Sequence, residues 1–118
     1  MGFFDRFRTP SASATEAISL VSAGATLLDV RENSEWNAGR APGAVHIPLG
    51  QLAAQAGRRL PKGRQVIVVC RSGHRARTAT QTLSNMGIDA LLLKGGMRAW
   101  ESAGGRVVGK GNRPGIVA

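Results

Sequence analysis

Cys70 is the only cysteine of the chain, and Arg71-Ser72-Gly73-His74-Arg75 follows it, placing a glycine and two guanidinium groups in the next five positions. A thiol becomes an effective nucleophile only when it loses its proton, and positive charge beside it favours that form. Gly73 permits a positive φ angle, which lets several backbone N–H groups turn inward around a sulfur or a bound anion. The competing reading is a small core residue, since free cysteine is among the most buried residue types. What separates the two readings is the company Cys70 keeps. A core cysteine has no use for a glycine and two arginines at its side, and guanidinium groups are not buried without partners.

The elements that must position this segment are legible around it. Val66-Ile67-Val68-Val69 is an unbroken β-branched run, the pattern of a parallel strand buried on both faces. Ligands of open α/β sheets bind beyond the carboxyl ends of such strands, where Cys70 stands. From Arg75 to Met86, the spacing of Ala76, Ala79, Leu83 and Met86 marks one face of a helix that stops at Gly87. Its N-terminus therefore faces the cysteine, and the positive end of the helix dipole joins the arginines in favouring a thiolate.

Upstream, Thr9 to Ser13 reads as a polar turn, and Ala14, Ala17, Ile18 and Val21 mark an amphipathic helix ending at Gly24. Ala25 to Val30 is a strand that breaks into charge at Asp29-Val30-Arg31-Glu32, as at the mouth of a parallel sheet. A helical turn from Glu32 to Ala38 carries Trp36, Ala44 to Ile47 is a short strand closed by Pro48, and Leu49 to Ala56 is a short helix. Arg58, Arg59, Lys62 and Arg64 then form a solvated basic face around a proline-containing loop. Downstream, Ile88 to Leu93 is an apolar strand, and Lys94-Gly95-Gly96 is a tight turn into a helix with Met97 and Trp100 on one face. No P-loop pattern or full dinucleotide fingerprint accompanies those glycines.

Alternating strands and helices imply a three-layer α/β fold, and 118 residues suffice for one core and not for two. The expected organisation is an N-terminal tail over residues 1–12, a domain over 13–104, and a basic, glycine-rich C-terminal tail over 105–118 that lacks periodicity and is expected to be partly disordered. The N-terminal eight residues hold all three phenylalanines with two arginines; they match no secretory signal, and no run is long enough to span a bilayer. A single cysteine excludes an internal disulfide framework and a multi-cysteine metal site, and fits a reducing, cytoplasmic setting. With Lys+Arg 16 against Asp+Glu 7, the formal net charge of +9 favours anionic partners.

Three separated segments together resemble the rhodanese, or sulfurtransferase, domain. They are Asp29-Val30-Arg31-Glu32 with Glu35-Trp36 and Gly39 to Pro48, the loop Cys70 to Arg75, and Leu93-Lys94-Gly95-Gly96 through Ala99-Trp100. The resemblance runs from about residue 14 to residue 103, with order and spacing agreeing throughout. Departures are Arg40-Ala41, where histidine and a branched aliphatic are usual, and His46, where asparagine is common.

The resemblance implies a central sheet of about five parallel strands flanked by helices, and a persulfide mechanism that needs no metal or organic cofactor. The Cys70 thiolate attacks the outer sulfur of thiosulfate or a similar donor, sulfite leaves, and a thiophilic acceptor, cyanide or a thiol, takes the sulfur. The N–H groups of the loop, from Arg71 through Ser72, Gly73 and His74 to Arg75, stabilise the extra anionic sulfur, while Arg71 and Arg75 attract a dianionic donor. These charges favour thiosulfate over mercaptopyruvate. Asp29 and Arg31 are read as structural, with Asp29 expected to accept hydrogen bonds or an ion pair from the loop.

Other classes fit less well. Cysteine-dependent phosphatases place one more residue between cysteine and arginine than this chain does, and the sixth position after Cys70 is Ala76. A rhodanese-like binding or regulatory module, or a sulfur-carrier partner, is the main alternative, although such modules often lack the cysteine. Nucleic acid is not an expected partner, because Tyr 0 and few other aromatics leave no stacking platform. The basic surface instead suggests an acidic protein partner, and a monomer is the default.

Overall fold

The computed structural model describes residues 9–118, so the phenylalanine- and arginine-bearing segment 1–8 lies outside the described residues. Five strands, β1 (Ser11–Ala12), β2 (Thr26–Asp29), β3 (Val45–His46), β4 (Val66–Val69) and β5 (Ala90–Leu93), form one sheet in the order β1-β5-β4-β2-β3. Every pairing is parallel. Between and after them run the helices α1 (Ala14–Ser22), α2 (Asn33–Ala38), α3 (Leu52–Arg59, led in by a 3₁₀ turn), α4 (His74–Asn85) and α5 (Gly96–Ser102).

The side-chain alternation of the strands builds the layers. Leu28, Val66, Val68 and Leu92 face a cluster made with Leu52 and Ala56 of α3 and Ala76, Ala79 and Leu83 of α4. Leu27, Ile67, Val69 and Leu93 face the opposite cluster, where Ala17 of α1 and Met97 and Trp100 of α5 pack. The apolar run of β4 is thus buried at every position because both of its faces are covered, and the expected three-layer α/β fold is what forms. Cys70 belongs to the α3/α4 side.

Three local expectations differ from the structure. Ser11–Ala12, read as part of a tail, pairs with Leu92 and Leu93 as the edge strand β1. Too short to show a period, it is held by its ladder. Met86, assigned to the buried face of α4, caps the helix and is 43% exposed, whereas Thr80 is buried and its hydroxyl donates to the Ala76 carbonyl at 2.7 Å. That internal bond satisfies the hydroxyl and removes the objection to burying it.

The C-terminal segment, expected to be partly disordered, is packed on the domain. Val108 bridges antiparallel to Arg40 and to Pro114, and the Ile116 N–H donates to the Ala38 carbonyl at 2.9 Å. Trp100 Nε1 donates to the Arg106 carbonyl at 2.9 Å, and Val107 and Val117 join the α1/α5 cluster. Backbone pairing with residues far away in the chain holds this segment, and such pairing leaves no periodic signature in the sequence.

Candidate active site

The register of the sheet sets the stage. Asp29 of β2 stands opposite Val69 of β4, so the charged mouth of one strand adjoins the cysteine at the end of the next. Cys70 is 1% exposed, and its Sγ accepts the Gly73 N–H at 2.9 Å and the Ala76 N–H at 3.4 Å. Gly73 makes this turn possible with φ of +119°, a value that side chains of L residues rarely tolerate, and α4 starts at His74 directly behind it. The cysteine therefore sits in a cradle of inward backbone donors at a helix N-terminus, an arrangement suited to holding negative charge on sulfur.

The two loop arginines are treated differently. Arg71 is exposed and in no ion pair among the described residues. Arg75 grips the Glu35 carboxylate with both terminal nitrogens, at 2.5 and 2.8 Å. This grip holds the Glu35 carboxyl at about 2, well below the usual carboxylate range, mainly through the hydrogen bond from Arg75 and against the opposing effect of burial. Glu35 also accepts the Glu32 N–H at 3.0 Å, which closes the first turn of α2 around it. The charge expected of Arg75 towards a donor is thus already matched by a carboxylate.

Asp29 does not meet the loop as expected. Its carboxylate accepts from Arg31 instead: the backbone N–H at 3.0 Å, Nε at 2.9 and 3.0 Å, and Nη2 at 2.7 Å. Arg31 in turn donates to the carbonyls of Gly39 at 2.6 Å and Glu35 at 3.3 Å. Both residues are fully buried. A carboxylate and a guanidinium two residues apart at a strand end satisfy each other locally, and only the guanidinium has donors left to reach further. The pair holds the α2–β3 connection in place, and through α2 it fixes Glu35, the residue that does brace the loop. In the sequence Glu35 belongs to a signature segment and carries no visible role, because 40 positions separate it from Arg75.

A second support comes from below the loop. The Met97 N–H donates to the Cys70 carbonyl at 2.8 Å, and a side chain on Gly96 would overlap the carbonyls of both Cys70 and Arg71. The paired glycines read as a tight turn are therefore also the floor of the loop. On the far flank of α2, the Trp36 and His46 rings stack at 4.5 Å with planes 6° apart, and the Arg40 guanidinium lies 5.2 Å from the Trp36 ring. His46 Nε2 lies 2.7 Å from the Arg31 carbonyl. Two departures from the family pattern thus converge on one tryptophan.

Beside the loop, Ser72, Gly73, His74, Arg77, Leu92, Lys94 and Gly95 line a cavity of about 190 Å³. A larger one, about 490 Å³, opens at the opposite end of the sheet between Ala56–Gln65 and Met86–Asp89, far from Cys70. It contains no nucleophilic cysteine, so size does not mark the chemistry here. No described helix is long and apolar enough to cross a membrane. Among the described residues, no three His, Cys, Asp or Glu side chains cluster in a way that could hold a metal ion.

An all-parallel sheet carrying a lone cysteine in a loop of inward N–H groups at a strand–helix junction defines the class, and the sequence comparison agrees with it. Residues 13–103 match the family model of the rhodanese-like domain, and the chain belongs to that family. It is 37% identical over 75 residues to the putative sulfurtransferase YtwF of Bacillus subtilis, covering 64% of this chain and 72% of that protein. It is 36% identical over 75 residues to the putative sulfur carrier protein YrkF of the same organism, covering 63% of this chain but only 40% of the relative. The crystal structure of a thiosulfate sulfurtransferase from Pseudomonas aeruginosa superposes with a TM-score of 0.81 at 28% identity, over 98% of this chain and 23% of that one. The chain therefore spans less than half the length of YrkF and about a quarter of the Pseudomonas protein.

Proposed function

We propose that this domain is a sulfurtransferase that carries sulfane sulfur on Cys70, taking it from thiosulfate and delivering it to a thiophilic acceptor. The observation that carries the reading is the Cys70 sulfur held by the Gly73 and Ala76 N–H groups at the mouth of the sheet. Family membership and the sulfurtransferase names among the relatives support sulfur transfer as the general chemistry.

In the first half-reaction the Cys70 thiolate attacks the outer sulfur of thiosulfate. The bond between the two donor sulfurs breaks, its electron pair leaves with sulfite, and Cys70 bears a persulfide. In the second, cyanide or a thiolate attacks the terminal sulfur and regenerates the Cys70 thiolate, giving thiocyanate or a new persulfide. No external oxidant or reductant enters the cycle. The inward N–H groups stabilise the terminal sulfur anion in place of water, and the uncommitted Arg71 supplies charge for the dianionic donor. Arg75, tied to Glu35, keeps the loop in position.

A sulfur-carrier or binding role is the second reading, supported by the similarity to the putative sulfur carrier protein YrkF. A phosphatase is disfavoured, because Arg75 is engaged by Glu35 and follows Cys70 one residue too early to close a phosphate cradle. Mass spectrometry after incubation with thiosulfate, with thiocyanate followed in parallel, tests the proposal. Wild type is expected to gain one sulfur atom and turn over, and Cys70→Ser to do neither. Absence of an adduct with both thiosulfate and mercaptopyruvate would replace the enzyme with the binding module.

A further inference from the structure

His74 and Arg77 lie one turn apart on α4, and neither shares the contact of Arg75 with Glu35. Together with Lys94 at the end of β5 they line the cavity beside the loop, over a floor that includes Leu92. All three are exposed, and none takes part in a hydrogen bond or ion pair between side chains among the described residues, where the only ion pairs join Asp29 to Arg31 and Glu35 to Arg75. Lys94 has only a minor influence on Glu16, whose carboxyl is lowered chiefly by Ser13 and only lastly by Lys94. Two permanent cations and a histidine thus face solvent together, within one side of a loop whose own second arginine is already neutralised.

We propose that this cluster docks an acidic protein acceptor, with carboxylates flanking the acceptor's thiol engaging Arg77 and Lys94 while the thiol reaches Cys70. The proposal rests on the persulfide reading above and names the partner class of the same site. A small dianion does not explain the cluster, because Cys70 does not line the cavity and an ion held there stands aside from the sulfur. A polypeptide segment spans both places. Nucleic acid is disfavoured because no Phe, Tyr or Trp lines the cavity to give successive bases a stacking platform. Matching charge acts mainly on encounter rate, and for a cluster of this size the gain is on the order of tenfold at low salt.

Two measurements test this. In the first, persulfide-loaded protein is mixed at low salt with three short cysteine peptides, acidic, neutral and basic, and the rate of sulfur transfer is followed. In the second, a fluorescein-labelled acidic peptide with serine in place of cysteine is titrated into unloaded protein and its anisotropy recorded, so that docking is read without any sulfur chemistry. The acidic peptide is expected to react about tenfold faster than the neutral one. Arg77→Gln/Lys94→Gln should bring that ratio near one and abolish the anisotropy change. Arg58→Gln/Lys62→Gln, at the other end of the sheet, should leave both unchanged. No preference for the acidic peptide, a preference that survives Arg77→Gln/Lys94→Gln, one lost equally in Arg58→Gln/Lys62→Gln, or tighter binding of a single-stranded oligonucleotide at the same residues would overturn the proposal. Failure of sulfur loading alone would refute the persulfide reading and leave the anisotropy result to decide docking.

Discussion

Gly96→Ala is the most informative single change, because it acts on the active loop from outside it. Gly96 has φ of +65°, and an added Cβ would fall on the carbonyls of Cys70 and Arg71. The left-handed backbone alone costs an L residue about 1–2 kcal/mol. Overlap with backbone atoms that cannot rotate away adds about 1–3 kcal/mol, as overpacking does elsewhere. The sum is about 2–5 kcal/mol, a large share of the about 5–15 kcal/mol that stabilises a domain. Thermal unfolding should shift down by about 4–8 °C for each kcal/mol in a domain near this size. Persulfide formation should fall further than stability explains, since relieving the overlap means lifting the Cys70 carbonyl off the Met97 N–H and distorting the cradle above it. Gly50→Ala is the control, at a position where no atom lies within 4 Å of the new Cβ, and it should stay within about 0.5 kcal/mol of wild type. Thermal melts and single-turnover loading of the two variants decide the matter. A Gly96→Ala protein with wild-type melting temperature and loading rate would refute the claim that α5 supports the loop.

Asp29→Asn leaves the buried Arg31 guanidinium without its counter-charge and should cost about 3–5 kcal/mol, read as a lower midpoint in urea unfolding; a shift below about 1 kcal/mol would sink the reading of this pair as a structural strut. Glu35→Gln removes the carboxylate that holds Arg75. Because the folded Glu35 carboxyl is depressed from 4.5 to about 2, its contribution is complete above about 4.5 and is lost as pH falls towards 2. The stability gap between wild type and Glu35→Gln should therefore be flat above pH 4.5 and close across that window, and a gap that persists at pH 2 would contradict it. The same variant should load sulfur more slowly near neutral pH, because a released Arg75 no longer anchors the first turn of α4 against α2.

The local chemistry of the sequence determined a great deal. A β-branched run, a lone cysteine and a glycine-bearing loop ahead of a helical period already specified strand, turn and helix N-terminus around Cys70. Spacing of the apolar residues likewise implied helices on a buried parallel sheet, since periods of two and 3.6 follow from backbone geometry alone. The partners of each charged group were decided only by the tertiary structure. Asp29 was free on paper to brace the loop, yet the folded strand end turns Arg31 back onto it and leaves the bracing to Glu35, 40 residues from Arg75. Gly96 beneath Cys70 and Val108 against Arg40 are likewise contacts between distant segments. Periodicity reports which face of an element is apolar, but which polar group meets which across the fold depends on the register of separate strands and the docking of separate helices, and neither is written into any one stretch of chain.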